Sequence, residues 1–223
     1  MERSLVGVWR ASYDGGKRAA RIPCSRRWRA APQTAGCGQL THRRETLSLL
    51  RMAGVKTTAK EKKPMNEKAL REQLAKMLDW GEAHADWEGA VKSFPPEHYG
   101  TRPAGSPHSA WELLEHIRLA QLDILQFSRN PKHVSPPWPE GYWPKDSAPP
   151  SAAAWAKSAK QVTEDRREME RLVKDPKTDL FAKIPHGSGQ TILREILLLA
   201  DHNAYHLGQL VLVRKMLGDW KSG

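Results

Sequence analysis

From Asn66 onward apolar residues recur every three or four positions, and no stretch alternates with the period of two that a half-buried strand requires. That spacing leaves helices as the only building elements, and clusters of Pro and Gly divide them. The predicted fold is all-α, a four-helix bundle. The first helix is expected over about Asn66 to Val91, with Leu70, Leu74, Met77, Gly81, His84, Glu88 and Val91 on one stripe. A Ser-x-x-Glu capping box at Ser109 and Glu112 starts the second, which runs to about Arg129 and stops at Asn130 and Pro131. Its inward stripe is Leu113, His116, Ile117, Ala120, Ile124 and Phe127. The third is expected from Ser151 to about Lys174. The fourth runs from Ile192 to Leu217 and closes on Gly218 as a left-handed cap. Seven prolines crowd the connector between the second and third helices, around Trp138, Tyr142 and Trp143. A connector that long is often functional, either as a lid over an apolar substrate or as a staple to the bundle, and the staple is preferred.

Charge divides the chain near Met65. Residues 1–64 carry 15 Lys/Arg against 4 Asp/Glu, whereas the rest carries 21 of each, so the basic balance belongs to the first segment alone. No basic face is expected on the folded part, which argues against nucleic acid as a partner. Residues 1–64 are read as a basic, disordered extension, a targeting segment, or the product of a start assigned upstream of Met52 or Met65, the last being preferred. The domain itself is expected over 65–223. Cys24 and Cys37 both precede it, consistent with a reducing cytoplasm. Arg194, Glu195, Asp201, Arg214 and Lys215 interrupt the most apolar run, so no membrane partner is expected.

His202 and His206 lie four residues apart on the stripe Ile192, Ile196, Leu199, Leu210 and Val213. Just over one helical turn separates them, so both rings leave the same core-facing side. His116, on the core stripe of the second helix, supplies a third neutral imidazole. Burying three neutral rings without partners leaves polar nitrogens unsatisfied, and one divalent metal satisfies them together. Three histidines with a further position open is the catalytic rather than the structural pattern for zinc, and imidazole also suits nickel or iron. Asp123 and Glu195 are candidates to orient the rings or take part in chemistry, and Glu112 is read as closing its capping box; His84 is a candidate fourth ligand or general base, against the commoner case of a histidine that simply bonds to a neighbour. His98, His108, His133 and His186 fall in connectors, where solvated rings are the default. The sequence holds no Glu-x-x-His pair for a carboxylate-bridged di-iron centre, no His-Glu-x-x-His, no phosphate-cradling Gly-rich loop and no Gly-x-Ser-x-Gly elbow.

Trp111-Glu112-Leu113-Leu114-Glu115-His116 in the second helix and His202-Asn203-Ala204-Tyr205-His206-Leu207-Gly208-Gln209-Leu210 in the last make residues 65–218 resemble the DinB-like superfamily. The resemblance implies an up-up-down-down four-helix bundle in which His116, His202 and His206 bind a divalent metal ion. It also implies thiol-dependent transferase or isomerase chemistry with low-molecular-weight thiols, and homodimers. The long connector and the basic start lie outside that pattern. The expected function is activation of a small thiol or water at the metal for transfer or hydrolysis. Having no cysteine after Met65, the domain would take the thiol from a cosubstrate. The competing reading is a non-enzymatic metal-binding or stress-response bundle, its metal structural and closed off by a fourth protein ligand such as His84 or Asp123.

Overall fold

Side-chain caps define where the helices begin. In the computed structural model, which describes residues 66–220 other than Trp80 and Glu82, Asn66, Asp86, Ser109, Ser151 and Thr191 each accept a backbone N–H of the following turn. The helices so started are α1 (Glu67–Leu78), α2 (Trp87–Val91), α3 (Ala110–Arg129), α4 (Ala152–Lys174) and α5 (Ile192–Met216). There is no strand among the described residues, and Lys183 and Thr191 form only an isolated antiparallel bridge. The expectations for residues 1–64 lie outside the described residues.

Three helices lie where the spacing predicts, and the capping box at Ser109 and Glu112 is formed in both directions. Gly218, at φ +78°, takes the left-handed conformation that follows α5. The first predicted helix is the exception. It ends at Leu78, and a new single-turn helix begins at Trp87. Tertiary contacts account for the break. Buried Arg166 bonds the side chain of Asp79 and reaches the Leu78 carbonyl at 3.5 Å, capping α1. Asp86 then caps α2, whose first residue, Trp87, is wholly buried with its indole N–H donated to the Ala159 carbonyl at 3.4 Å. The stripe predicted past Leu78 dissolves accordingly, and Met77 is exposed.

Buried arginines close other helix ends. Arg71 donates to the carbonyls of Val173, Asp175 and Thr178 at and just past the end of α4, and Arg214 to those of Gly89, Ala90 and Ser93 at and just past the end of α2. C-terminal carbonyls lack partners within their own helix, so a buried guanidinium with five donors suits them.

Helix α3 packs on both α4 and α5, α1 packs on the same two, and α2 on α5. Two apolar clusters result. One joins Leu74, Leu78, Ile124, Met169, Ile196 and Leu199, and the other Trp87, Trp111, Leu114, Ile117, Leu207 and Leu210. On α5 the first cluster ends at Ala200 and the second starts at Leu207, so His202, Asn203 and His206 fall between them. Gln121 of α3 belongs to the same buried polar layer.

Candidate metal centre

The i, i+4 spacing on α5 sends His202 and His206 toward His116 of α3, and all three rings are buried. Their Nε2 atoms converge: those of His202 and His206 each lie 3.1 Å from that of His116. Among the described residues, these three form the one group of His, Cys, Asp or Glu side chains close enough to hold a metal ion together.

The other ring nitrogens explain why Nε2 is the side that faces inward. His116 Nδ1 is 2.9 Å from the Tyr142 carbonyl, which can only accept, so Nδ1 carries the proton and Nε2 the lone pair. For His202 the same result is relayed through two amides. The Val162 carbonyl accepts from Gln121 Nε2 at 2.7 Å, which turns Gln121 Oε1 to accept from Asn203 Nδ2 at 2.7 Å. Asn203 Oδ1 is thereby left facing His202 Nδ1 at 3.2 Å, fixing the proton there as well. His206 Nδ1 is 2.7 Å from Gln209 Oε1. Two backbone carbonyls thus point lone pairs of His116 and His202 at one another. Neutral imidazoles so arranged repel, and a cation between them converts the repulsion into ligation. The donor set fits a divalent metal on this ground.

Ionisation agrees with that chemistry. Burial, with His206 nearby, pushes His116 down to about 3, and burial brings His206 to about 4. His202 is held well below its ordinary value, chiefly by burial. All three are therefore neutral near pH 7, the form in which imidazole binds metal.

The connector completes the surroundings. Within residues 130–151, Glu140–Tyr142 forms a short 3-10 turn, and Tyr142 is wholly buried. Its carbonyl orients His116, while its hydroxyl donates to Asp123 Oδ2 at 2.8 Å. Trp143 stacks flat on His116, ring centroids 3.9 Å apart, and His108 stacks on the far face of Trp143 at 4.2 Å. The connector is therefore both staple, through Tyr142, and cover, through Trp143.

The remaining candidates fall elsewhere. His84 is a correction: it sits exposed in the bend between α1 and α2, its Nδ1 3.0 Å from the neighbouring Ala85 carbonyl, and does not join the three histidines. The helix that would have turned it inward ends at Leu78. Asp123 is outside the converging group of three. It takes Tyr142 Oη on one oxygen and His133 Nε2, at 2.7 Å, on the other, so it acts on His116 only through the connector. Glu195 is buried against Arg194 at 2.9 Å, its Oε2 has no hydrogen-bond partner among the described residues, and burial pushes its carboxyl above the usual range. Glu112 closes its capping box and pairs with Arg102. Burial opposes ionisation there, but the Arg102 hydrogen bond prevails and keeps the carboxyl low. Three of the four connector histidines depart from the solvated default: His98 pairs with Asp219, His133 with Asp123 and His108 with Trp143, while His186 stays exposed and bonds the Phe127 carbonyl.

Sequence reasoning missed Gln121, Tyr142, Asn203 and Gln209 as groups that orient the rings. Asn203 and Gln209 stand within three residues of a histidine on α5, a signal that was present; Gln121 and the Tyr142 carbonyl left none. Beside the centre a groove of about 230 Å³ runs along α5, lined by Pro107, His108, Leu113, Gln209, Leu212 and Met216 among others.

A family model described as the DinB superfamily matches residues 79–210, more than half of the chain. The chain belongs to the DinB superfamily. No curated protein and no solved structure matches it. No helix among the described residues is long and apolar enough to cross a membrane.

Proposed function

We propose that His116, His202 and His206 hold one divalent metal ion, zinc, nickel or iron, and that the protein is a metal-dependent enzyme acting on a small molecule. The observation that carries this reading is the pair of fixed tautomers that aim lone pairs of His116 and His202 at each other. Bound there, the ion supplies the charge that lowers the pKa of a small thiol or a water, giving a nucleophile near neutral pH for transfer or hydrolysis. The protein's own part is to keep three neutral nitrogens in place, to shield the His116 side with Trp143, and to offer the groove beside Gln209 to a substrate. With no cysteine after Cys37, the thiol belongs to a low-molecular-weight cosubstrate. Three histidines without a fourth ligating side chain in the described group favour catalysis over a closed structural site.

The reading extends to the assembly. The long helices α1, α3, α4 and α5 make the up-up-down-down bundle of the superfamily, and the protein is a cytoplasmic homodimer. Leu197 and Tyr205, exposed on α5 and outside the groove, offer apolar surface for a second copy.

Metal content of the full chain tests the core of this proposal, measured by elemental analysis beside a His202→Ala, His206→Ala double variant. About one ion per chain, lost in the variant, with metal-dependent conjugation of a small thiol to an aryl halide or release of a hydrolysis product, is the expected result. A folded parent that stays metal-free when offered zinc, nickel and iron overturns it.

A further inference from the structure

We infer that the groove along α5 seats the aliphatic chain of an amphipathic small molecule whose single polar end reaches the three-histidine centre. The inference rests on the metal reading above and names the substrate class for it.

The distribution of lining groups carries the argument. Leu113, Leu212, Val213 and Met216 make the apolar walls, and none of the lining residues is Asp, Glu, Lys or Arg. Leu212 and Met216 remain 56% and 46% exposed, so a ligand lying on them removes apolar surface from water. A phosphate, sugar or carboxylate along this wall would lose its water and find no charged partner. The side chains that link the groove to the centre are both polar. Gln209 lines it and meets His206 at 2.7 Å, and His108 lines it and reaches His116 through the stacked ring of Trp143. Ser106, the other polar side chain, is already spent on the His108 carbonyl at 2.7 Å. Among the side chains, uncommitted polarity is therefore confined to the two that adjoin the histidines. Gln209 and Met216 stand seven residues apart on one helix, which spans about 10 Å. A zigzag chain of roughly eight carbons, advancing about 1.3 Å per bond, covers most of that length.

Octanohydroxamic acid and acetohydroxamic acid share one metal-binding head and differ only in the chain, so calorimetric titration of each into the zinc-loaded full chain isolates the groove. Each buried CH2 multiplies affinity about fourfold. The octanoyl compound is expected to bind at least about a hundredfold tighter, even with incomplete burial. Leu212→Glu, at an exposed position that tolerates charge, should remove most of that ratio, and Met216→Glu provides a second block. Equal binding of both compounds overturns the inference while leaving the metal reading intact. If neither binds and no zinc is retained, the metal reading fails, and octan-1-ol titrated into the metal-free chain decides the groove. Amide shifts at Leu212, Val213 and Met216 then support the chain seat, and their absence overturns it. An undiminished ratio in Leu212→Glu, together with conversion of a dimer to monomers on sedimentation, assigns the groove to a second copy of the chain and also overturns it.

Discussion

Helix α5 and the connector 130–151 serve the same centre by opposite routes. Helix α5 gives two ring nitrogens from positions four apart, and their shared face follows from helical geometry alone. The connector gives no ligand. It gives a backbone carbonyl to His116, a hydroxyl to Asp123 and an indole ring laid on His116, and each depends on how an irregular segment folds back on α3. Ligands from a regular element are robust to changes nearby, whereas orienting groups from a connector are held by a few contacts and so are the place where tuning is expected.

Removing ligands from α5 should have the largest effect. His206→Ala alone is expected to abolish stoichiometric metal binding, which elemental analysis of the purified variant would show; retention of metal would mean that His116 and His202 suffice.

Acid should act next most strongly. Unfolded, these imidazoles protonate near 6.5, whereas folded His206 and His116 do so only near about 4 and about 3. Between those values the unfolded chain binds more protons, so stability rises with pH up to about 6.5 and is lost as pH falls toward 4. Urea melts of the metal-free chain should show a lower midpoint at about pH 5 than at about pH 7.5, and added metal should steepen the loss because protons compete for the same nitrogens.

Groups that orient the rings should matter by intermediate amounts. Gln121→Leu breaks the relay from the Val162 carbonyl to His202, and affinity for metal is expected to fall about 10- to 100-fold in chelator competition. Tyr142→Phe tests the connector. It takes a donor from buried Asp123 and should cost about 1–3 kcal/mol of stability in chemical denaturation. If Tyr142→Phe leaves metal affinity as in the parent, the connector is a staple and the contrast with α5 sharpens. The smallest effect is expected at Ser151→Ala, about 1 kcal/mol for a lost cap at an exposed helix start, with the metal content unchanged.

Much of this was legible in the residues themselves. The starts of α3, α4 and α5, the core stripes of α3 and α5 and the trio of histidines follow from capping residues and from a period of 3.6, both of which are local. Period alone runs the first helix on past Leu78, because its break depends on Arg166, distant in sequence, and on the burial of Trp87, and the same extrapolation puts His84 on a core stripe it does not occupy. Asp123 and Glu195 are read from their spacing as groups that could orient the rings, but helical spacing cannot say what a carboxylate meets: Asp123 meets Tyr142 and His133, and Glu195 meets Arg194.

Helical period alone places two imidazoles on one face of α5, because residues a turn apart have no freedom to do otherwise, and the apolar stripe around His116 places a third on the core face of α3. Packing alone brings the Nε2 atoms of His202 and His206 to 3.1 Å from that of His116, and sets which proton each ring keeps and what covers it. His116 is 86 and 90 residues from its companions, and the carbonyls of Tyr142 and Val162 that set the tautomers lie on other segments again. Distances of that kind come from packing, where every element constrains every other, and no local spacing rule encodes them.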